Sequence, residues 1–235
     1  MALLERWIAE TAQSERRGRP LVTLSYAQSL DGSLSLRRGE ALALSGPESL
    51  ALTHRLRAAH DAILVGSGTV LSDDPQLNVR LIEGEEPQVV ILDSRLQIPL
   101  NAKLMKNMKK PWIFCTSSAD SRVQEKLEGA GVRVERQNDP SAGQVNLKSM
   151  LARLSDLGVQ SLMVEGGGRV INSFLKEKLM DRAVITLAPI FVGGYKIAEE
   201  PLAGKLTGFP RLQDVQVEKA GEDIVIFGRF AQEKA

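Results

Sequence analysis

Short, nearly continuous apolar segments alternate along the chain with segments whose apolar residues recur at helical spacing. Because strands buried on both faces are apolar throughout, the continuous segments predict strands of a largely parallel sheet. These segments are 21–27, 62–66, 88–93, 112–116, 132–135 and 161–165. Helical patterns lie near 47–59, 121–129, 147–157 and 168–178. The alternation predicts an α/β fold with helices on both faces of a mostly parallel central sheet.

The C-terminal part of the chain follows a different pattern. Segments 182–189, 215–222 and 223–230 predict strands, and no helical pattern separates the last two. Ala220-Gly221-Glu222-Asp223 is typical of a hairpin turn. We therefore predict that the sheet ends in an antiparallel C-terminal edge. Segment 190–212, punctuated by Gly and Pro, predicts a long loop and is a candidate for an interface.

The N-terminal segment predicts a short amphipathic helix. Leu4, Trp7, Ile8 and Thr11 recur at helical spacing. Charged residues interrupt this stretch, which is not the pattern of a signal peptide. No apolar run reaches the roughly 18 residues that a membrane span needs. We expect a cytoplasmic protein with one domain over residues 1–235, in which residues 1–19 form a helical extension.

Composition and charge narrow the classes of function. The chain has 43% apolar and 25% charged residues, which is ordinary for a globular protein. Its 30 basic and 29 acidic residues leave a formal net charge of +1, which favours neither nucleic acid nor an anionic membrane as a partner. Cys115 is the only cysteine, so a disulfide within the chain is impossible and a cysteine-based zinc site is not expected.

Ser45-Gly46-Pro47-Glu48 predicts the start of the helix near 47–59. Ser45 would cap the helix, Pro47 fits its first turn, and Glu48 follows the serine by three residues. For Ser45 and Glu48 this purely structural interpretation is favoured over a functional one.

Three consecutive glycines separate a predicted strand from a predicted helix in MVEGGGRVINSFL, residues 163–175. Because Gly166, Gly167 and Gly168 lack a Cβ, their backbone N–H groups can approach another group closely. The N-terminus of the following helix adds partial positive charge, and together these features favour an anion such as a pyrophosphate. The pattern is neither GxGxxG nor a Walker motif. A tight turn that binds nothing is the structural alternative.

A second strand also ends in glycines, in Gly66-Ser67-Gly68-Thr69, which a short turn and Asp73-Asp74-Pro75 follow. Ligands of α/β proteins gather at the carboxyl ends of strands, so the two glycine segments are expected to line one crevice. Thr69 is a candidate donor to a phosphate or carboxamide. Asp73 is a candidate acceptor for ribose hydroxyls, or else caps a turn. Asp73 and Asp74 have no third ligand nearby, so no metal site is predicted.

Other polar residues allow a functional and a structural interpretation. Asp31-Gly32 in YAQSLDGSLS predicts a turn, whose structural interpretation is a hairpin. Arg57 and Arg80 are candidates for a substrate phosphate because guanidinium groups match phosphate oxygens, whereas a solvated surface position is the alternative. His54 and His60 are expected to be surface or packing residues rather than catalysts.

Four segments, taken in this order, resemble the pyrimidine reductases of the riboflavin pathway. They are VTLSYAQSLDG, SGPESLALTHRLRAAHDAILVGSGTVLSDDPQLNVR, VVILDSRLQIPLNAKL and LMVEGGGRVINSFLKEKLMDRAVITLAPIFVGG. The likeness covers roughly residues 20–230 and includes the stand-alone archaeal and fungal reductases and the reductase half of the bacterial bifunctional deaminase/reductase. It implies a dihydrofolate-reductase-like fold, a homodimer, and NADPH-dependent reduction of a ribosylamino-pyrimidine 5′-phosphate to the ribitylamino compound.

The resemblance also implies roles for individual residues. Positions that match the cofactor site are Thr69, Asp73, Ser94 and the pyrophosphate loop Gly166, Gly167, Gly168 and Arg169. Positions that match the substrate site are Arg57, Leu77, Arg80 and Glu165. The arginines are expected to hold the phosphate, and Glu165 the pyrimidine or ribose. Asp31, Glu165 or water would supply the proton that accompanies hydride transfer to C1′. Ser94 and Arg95 are candidate neighbours of the cofactor 2′-phosphate.

Two departures from the family pattern bear on the substrate. Ser25 stands where many bacterial members carry Lys, and Ala43 where they carry Trp, so this chain is more similar to the fungal and archaeal type. The H-x-E and P-C-x-x-C signature of zinc deaminases is absent, which excludes the deaminase step. A related reductase of a pterin- or folate-like substrate and a non-catalytic nucleotide-binding protein stay open as alternatives. A Rossmann sugar dehydrogenase is disfavoured because no GxGxxG follows the first strand.

Overall fold

The computed structural model of the protein describes residues 2–10, 18–137, 143–198, 201–205 and 208–231. Its helices are α1 Ala2–Ala9, α2 Pro47–Ala58, α3 Ser67–Asp73, α4 Ser121–Gly129, α5 Leu147–Asp156 and α6 Gly168–Lys176, with a 3-10 turn at Lys103–Lys106. Its strands are β1 Leu21–Ser29, β2 Ser33–Ser35, β3 Ala62–Gly66, β4 Gln88–Leu92, β5 Trp112–Thr116, β6 Arg133–Gln137, β7 Ser161–Val164, β8 Arg182–Ala188, β9 Tyr195–Lys196, β10 Leu212–Ala220 and β11 Asp223–Phe230. Each strand and helix predicted from the sequence pattern is present, with its ends displaced by at most a few residues.

The main sheet of the described residues has the strand order β10-β11-β8-β1-β7-β3-β4-β5-β6. Neighbouring strands from β8 to β6 are parallel. β11 runs antiparallel to β8, and β10 antiparallel to β11. The turn between the last two strands pairs Ala220 with Asp223 and gives Gly221 a φ of +63°, which glycine adopts without a steric penalty. The parallel sheet with an antiparallel C-terminal edge is therefore confirmed.

Apolar side chains cover both faces of this sheet. Along β3, Ala62 and Leu64 belong to one core cluster, together with residues of α5 and α6, and Ile63 and Val65 belong to another on the opposite face. Successive side chains of a strand point to opposite faces, so a strand that is covered on both faces has to be apolar at every position. Burying one Leu, Ile or Val side chain stabilises the fold by about 1.5–3 kcal/mol.

The N-terminal helix packs against the antiparallel edge of the sheet. Leu4 and Ile8 are buried in a cluster that includes Phe227, and the ring of Trp7 meets the Phe227 ring edge-on with 5.7 Å between centroids. The predicted amphipathic helix is confirmed, although Thr11 lies outside the described residues. Within the described parts of the chain, no helix combines the length and the apolar character required to cross a bilayer. That the whole chain forms one domain stays a prediction.

Two predicted loops contain short elements that the local pattern does not reveal. The predicted glycine loop and short turn after β3 are replaced by α3, which begins at Ser67 without any intervening loop. The predicted loop 190–212 contains β9, which pairs with β2 in a separate two-stranded sheet. Asp31-Gly32 does form a turn, in which the Gly32 N–H donates to the Ser29 carbonyl at 3.0 Å. However, β2 pairs with β9 and not with β1, so the hairpin interpretation is wrong.

The start of α2 differs from the predicted capping pattern. Its N-cap is Gly46, and the Ser45 side chain does not cap it. The Asp223 carboxylate of β11 instead accepts hydrogen bonds from the Gly46 N–H at 2.8 Å and from the Ser49 hydroxyl. Pro47 occupies the first turn as predicted. The carboxylate that accepts the N–H of the N-cap residue therefore belongs to a residue 177 positions away in the sequence.

Candidate active site

The carboxyl ends of β3 and β7 lie side by side and position most of the candidate residues. The two strands pair in parallel with Leu64 opposite Val164, and the Glu165 N–H donates to the Leu64 carbonyl at 3.0 Å. Just beyond, the Gly167 N–H donates to Thr69 Oγ1 at 3.1 Å. The two glycine segments therefore meet at one edge of the sheet, as predicted.

Each of the three glycines allows a close approach of another protein group. A Cβ on Gly166 would lie 2.8 Å from the Cβ of Val170, and one on Gly167 would lie 3.2 Å from Thr69 Oγ1. A Cβ on Gly168 would lie 2.9 Å from the Tyr195 hydroxyl. Within the described residues, packing of the protein on itself is thus one reason for the glycines, in addition to the predicted approach of an anion.

The start of α6 differs from the starts of α4 and α5. α4 and α5 are capped by the side chains of Asp120 and Asn146. α6 has Gly167 as its N-cap, and no side chain caps it. The first N–H groups of a helix have no acceptor within the helix, so those of Gly168 and Arg169 are available to an anion. Arg169 is exposed and adds a positive charge there.

Thr69 and Asp73 lie four residues apart on one face of α3. Thr69 Oγ1 accepts the Gly167 N–H, so its own hydrogen is available to a ligand. Asp73 is exposed at the end of the helix and accepts a hydrogen bond from the Ser72 hydroxyl. Asp74, the left-handed C-cap with φ +42°, accepts the Lys103 N–H at 2.8 Å and therefore has a structural role.

Ser94 and Arg95 form a turn at the carboxyl end of β4, the neighbour of β3 on the side opposite β7. The Ser94 carbonyl accepts the N–H and the hydroxyl of Thr116, while Arg95 is exposed. The preceding residue, Asp93, is buried, and burial raises the pKa of its carboxyl group. Both predicted cofactor residues thus lie at the same edge of the sheet as the glycines.

Arg57 and Glu165 form an ion pair at this edge. The guanidinium donates from Nε to Oε2 at 2.9 Å and from Nη2 to Oε1 at 2.5 Å, in the two-pronged geometry that suits a carboxylate. Its Nη1 donates to the Asn78 carbonyl at 3.1 Å. The Arg57 side chain is only 8% exposed, whereas that of Glu165 is 24% exposed. The Arg57 guanidinium is therefore engaged by Glu165 and Asn78, and its predicted contact with a phosphate stays a prediction.

Arg80 and Leu77 lie in the segment that follows α3. Arg80 is exposed, and its guanidinium has one described contact, from Nη1 to Asn78 Oδ1 at 3.0 Å. It is therefore the freer of the two arginines. The Leu77 side chain is buried in the core and its φ is +55°, so only its main chain can contact a ligand.

Asp31 is held by four hydrogen bonds. It accepts from the hydroxyls of Ser29 and Ser33 at 2.6 and 2.8 Å, and from the N–H groups of Val192 and Gly193 at 2.9 and 3.0 Å. The Ser29 bond, followed by those of Val192 and Ser33, lowers the pKa of the Asp31 carboxyl well below its usual range. An ionised carboxylate has no proton to donate, and the predicted catalytic role of Asp31 stays a prediction. Its bonds instead hold β1, β2 and the segment before β9 together.

The sequence interpretation missed two residues near the site. His54 is buried and its Nδ1 accepts the Arg80 N–H at 3.1 Å, while Tyr195 packs against Gly168. The spacing of His54 and Arg57, three residues apart on a helix, could have placed both on one face. No local sequence pattern could have predicted that Tyr195 packs against α6. His54 and His60 are both packing residues in the sense predicted, but neither lies at the surface.

Ser25, the position that departs from many bacterial members, also lies at this edge. The register of β1 and β7 pairs Leu24 with Val164, so Ser25 is the next residue beyond that pair, at the level of Glu165. Its side chain is buried.

Comparison with known proteins decides the family. Residues 20–226 match the family model described as the RibD C-terminal domain. The chain belongs to this family. It is 38% identical over 218 residues to the riboflavin biosynthesis protein RibD of Aquifex aeolicus, a match that covers 89% of this chain and 57% of that protein. It is 35% identical over 224 residues to the 2,5-diamino-6-ribosylamino-4(3H)-pyrimidinone 5′-phosphate reductase of Archaeoglobus fulgidus, covering 90% of this chain and 99% of that protein.

Solved structures confirm the fold of this RibD C-terminal domain. The riboflavin biosynthesis reductase Rib7 of Saccharomyces cerevisiae superposes with a TM-score of 0.76 at 31% identity and covers 97% of each chain. A dihydrofolate reductase from Enterococcus faecalis superposes with a TM-score of 0.50 at 14% identity, covering 89% of this chain and 96% of that one. The second likeness concerns the fold alone and confirms the predicted dihydrofolate-reductase-like architecture.

Proposed function

We propose that the protein reduces a ribosylamino-pyrimidine 5′-phosphate to the ribitylamino form with NADPH, as a step of riboflavin biosynthesis. One observation carries this proposal. At the carboxyl ends of β3 and β7, the start of α6, which no side chain caps, lies beside the ion pair of Arg57 and Glu165. Such an edge can hold a dinucleotide phosphate beside a polar substrate. The names of the relatives from Aquifex aeolicus and Archaeoglobus fulgidus support the pathway.

The residues of the cofactor side fit a nicotinamide dinucleotide. The N–H groups of Gly168 and Arg169 would bind its diphosphate, with the Thr69 hydroxyl as a further donor. When bound, the cofactor supplies the hydride, and the protein supplies position and electrostatics. Ser94 and Arg95 are proposed to contact the 2′-phosphate. A variant with Ser94→Ala and Arg95→Ala should lose preference for NADPH over NADH, and an unchanged ratio of the two Kd values would remove them from that role.

On the substrate side, the two arginines have different tasks. Arg80 would bind the 5′-phosphate, since its guanidinium is exposed and has a single described contact. Arg57 would hold Glu165 so that the carboxylate accepts hydrogen bonds from the pyrimidine or ribose. Because Asp31 is ionised and Glu165 accepts two bonds from a guanidinium, we propose that water delivers the proton. Water is one of the three proton sources that the sequence left open, beside Asp31 and Glu165.

A homodimer is proposed from exposed apolar residues near the turn after β1. Phe191 is 80% exposed and Ile190 45% exposed, and the Ile190 carbonyl accepts the N–H of Leu30, which is 46% exposed. Contiguous exposed apolar groups are typical of interaction surfaces. A Phe191→Asp variant should shift the mass measured by light scattering from dimer towards monomer. A cytoplasmic location stays a prediction.

The test of the proposed function is the absorbance of the reduced nicotinamide, which hydride transfer abolishes, followed with purified protein and each of two substrates. These are the 2,5-diamino-pyrimidinone and the deaminated 5-aminouracil forms of the phosphoribosylamino compound. Turnover with either supports the reaction and fixes the pathway branch. Saturable NADPH binding without turnover on both would favour a pterin- or folate-like substrate. Absence of NADPH binding would contradict the proposal.

A further inference from the structure

His54 is fully buried in α2 and has no place in the roles assigned so far. Its Nδ1 accepts a hydrogen bond from the backbone N–H of Arg80 at 3.1 Å. An accepting nitrogen carries no hydrogen, so the neutral ring bears its hydrogen on Nε2. Nε2 is buried and has no partner among the described residues. An unpaired buried donor is unfavourable, so Nε2 gives no reason for a histidine at this position. The hydrogen bond from the Arg80 N–H to Nδ1 does give one.

The surroundings of His54 keep the ring neutral. Burial is the main cause that lowers its pKa to about 4, and the charges of Arg57 and Arg80 lower it further, while Glu165 acts in the opposite direction. A protonated ring would carry a hydrogen on Nδ1 and could not accept the Arg80 N–H. At neutral pH the ring is therefore an acceptor.

The segment 77–80, which His54 holds, has an unfavourable backbone that needs support. Leu77 has φ +55°, a left-handed conformation that is costly for a residue with a Cβ. α2 holds the segment at two backbone groups. Arg57 donates to the Asn78 carbonyl, and His54, one helical turn earlier, accepts from the Arg80 N–H. The same helix thus orients Glu165 and fixes the segment that carries Arg80.

We propose that His54 is a positioning residue that fixes the Arg80 backbone, and with it the point from which the Arg80 guanidinium reaches the substrate phosphate. The identity of that anion rests on the proposed function, whereas the hydrogen bond does not. Nε2 is sealed from solvent, so a bound substrate does not contact the ring. His54 acts through Arg80 alone.

Two substitutions separate this role from simple packing. His54→Leu fills the site with an apolar side chain that cannot accept a hydrogen bond. His54→Asn offers a carbonyl oxygen close to the position of Nδ1. We expect His54→Leu to raise the KM for the phosphorylated pyrimidine roughly five- to tenfold, with kcat and the KM for NADPH within about twofold of wild type. His54→Asn should restore most of the substrate KM. An unchanged KM in folded His54→Leu, or no rescue by His54→Asn, would overturn the inference.

His60 offers a matched control. It is also a buried histidine of this region, with burial lowering its pKa to about 4, and its nitrogens are paired with the Leu56 carbonyl and Thr23 Oγ1 at 2.6 and 2.8 Å. Neither partner belongs to the segment 77–80 or to the glycines 166–168. His60→Leu should therefore lower Tm and leave the substrate KM unchanged. A rise in KM equal to that of His54→Leu would show that any loss of a buried histidine has this effect.

Hydrogen exchange tests the contact without any substrate. The amide of Arg80 should exchange at least tenfold faster in His54→Leu than in wild type (roughly the factor for losing one hydrogen bond), and near the wild-type rate in His54→Asn. Equal exchange in all three proteins would overturn the inference even if the enzyme is active. If wild type turns over neither pyrimidine, the proposed function fails and the exchange rates alone decide the role of His54.

Discussion

The two sides of the candidate site are built from different chemical groups. The cofactor side, residues 166–169 with Thr69, offers backbone N–H groups, a hydroxyl and small side chains. The substrate side, Arg57, Glu165 and residues 77–80, consists of long charged side chains that are held by one another. Backbone donors are positioned by the sheet and helix themselves. Long side chains require neighbours to fix them, so the substrate side should be the more sensitive to single substitutions.

The largest expected effect is the loss of the Arg57–Glu165 pair. Arg57→Ala leaves the partly buried Glu165 without its partner, and the free energy of unfolding should fall by about 3 kcal/mol, the low end for breaking a buried ion pair. kcat/KM should fall at least about 100-fold because Glu165 is no longer oriented. Denaturant unfolding and steady-state kinetics check both. Arg57→Lys, which keeps the charge but not the two-pronged geometry, should remain impaired. Wild-type kinetics in Arg57→Ala would contradict the expectation that the substrate side is the more sensitive to single substitutions.

Arg80 should affect substrate binding without affecting the fold. Arg80→Ala should raise the KM for the phosphorylated substrate about 10- to 100-fold, because a charge-assisted contact to phosphate is lost from an exposed position. Tm should change little. Kinetics with the dephosphorylated nucleoside provide the control, since wild type and variant should be equally poor with it. If the KM is unchanged, the phosphate binds elsewhere, or the substrate has none.

Gly168 tests why the cofactor side requires glycine. A Cβ there would lie 2.9 Å from the Tyr195 hydroxyl, so Gly168→Ala should destabilise the protein by about 1–3 kcal/mol and weaken NADPH binding. Adding Tyr195→Ala removes the overlap. If the double variant recovers NADPH affinity relative to Gly168→Ala, packing explains the glycine. If stability recovers and affinity does not, the cofactor itself needs the space. Calorimetric titration with NADPH distinguishes these outcomes.

Asp31 is expected to have the smallest effect on catalysis. Its folded-state pKa lies below its unfolded value of 3.8, so the ionised carboxylate stabilises the protein above about pH 4, and this stabilisation is lost as the pH falls towards the folded-state pKa. Asp31→Asn should therefore reduce Tm at pH 7 and make Tm less dependent on pH below about 4. Turnover per folded molecule should stay within about threefold of wild type, as expected without a proton-transfer role. A loss of 100-fold or more would restore Asp31 as a proton donor.

The sequence predicted the main elements of the fold because their signal is local. Continuous apolar segments and helical spacing indicated each strand of the main sheet and most helices, and Gly221 marked the final turn. β2 and β9 were missed because two or three residues that pair only with each other carry no pattern of their own. The cap of α2 was assigned to Ser45, whereas Asp223 of β11 supplies it, since a distant side chain competes with a local one.

The candidate site was predicted as a set of residues but not as an arrangement. The family resemblance named Arg57 and Glu165 together as substrate residues, whereas the structure shows them bonded to each other. Resemblance named Leu77, whose buried side chain leaves only its main chain to contact a ligand. His54 was treated as a packing residue. Its bond to Arg80 forms because the segment after α3 packs against α2. The pattern of apolar residues along the chain does not predict this contact.

The sequence by itself determined the α/β class, the parallel sheet with its antiparallel edge and the family, because periodicity, turn glycines and ordered motifs are properties of neighbouring residues. Tertiary structure alone decided which charged groups pair, whether the Arg57 or the Arg80 guanidinium is the freer, and in which direction the pKa of Asp31 and of His54 shifts. These depend on burial and on contacts between residues far apart in the sequence, such as the bond from Val192 to Asp31 across 161 positions. Coulomb energy and desolvation act through space, so only the folded chain sets them.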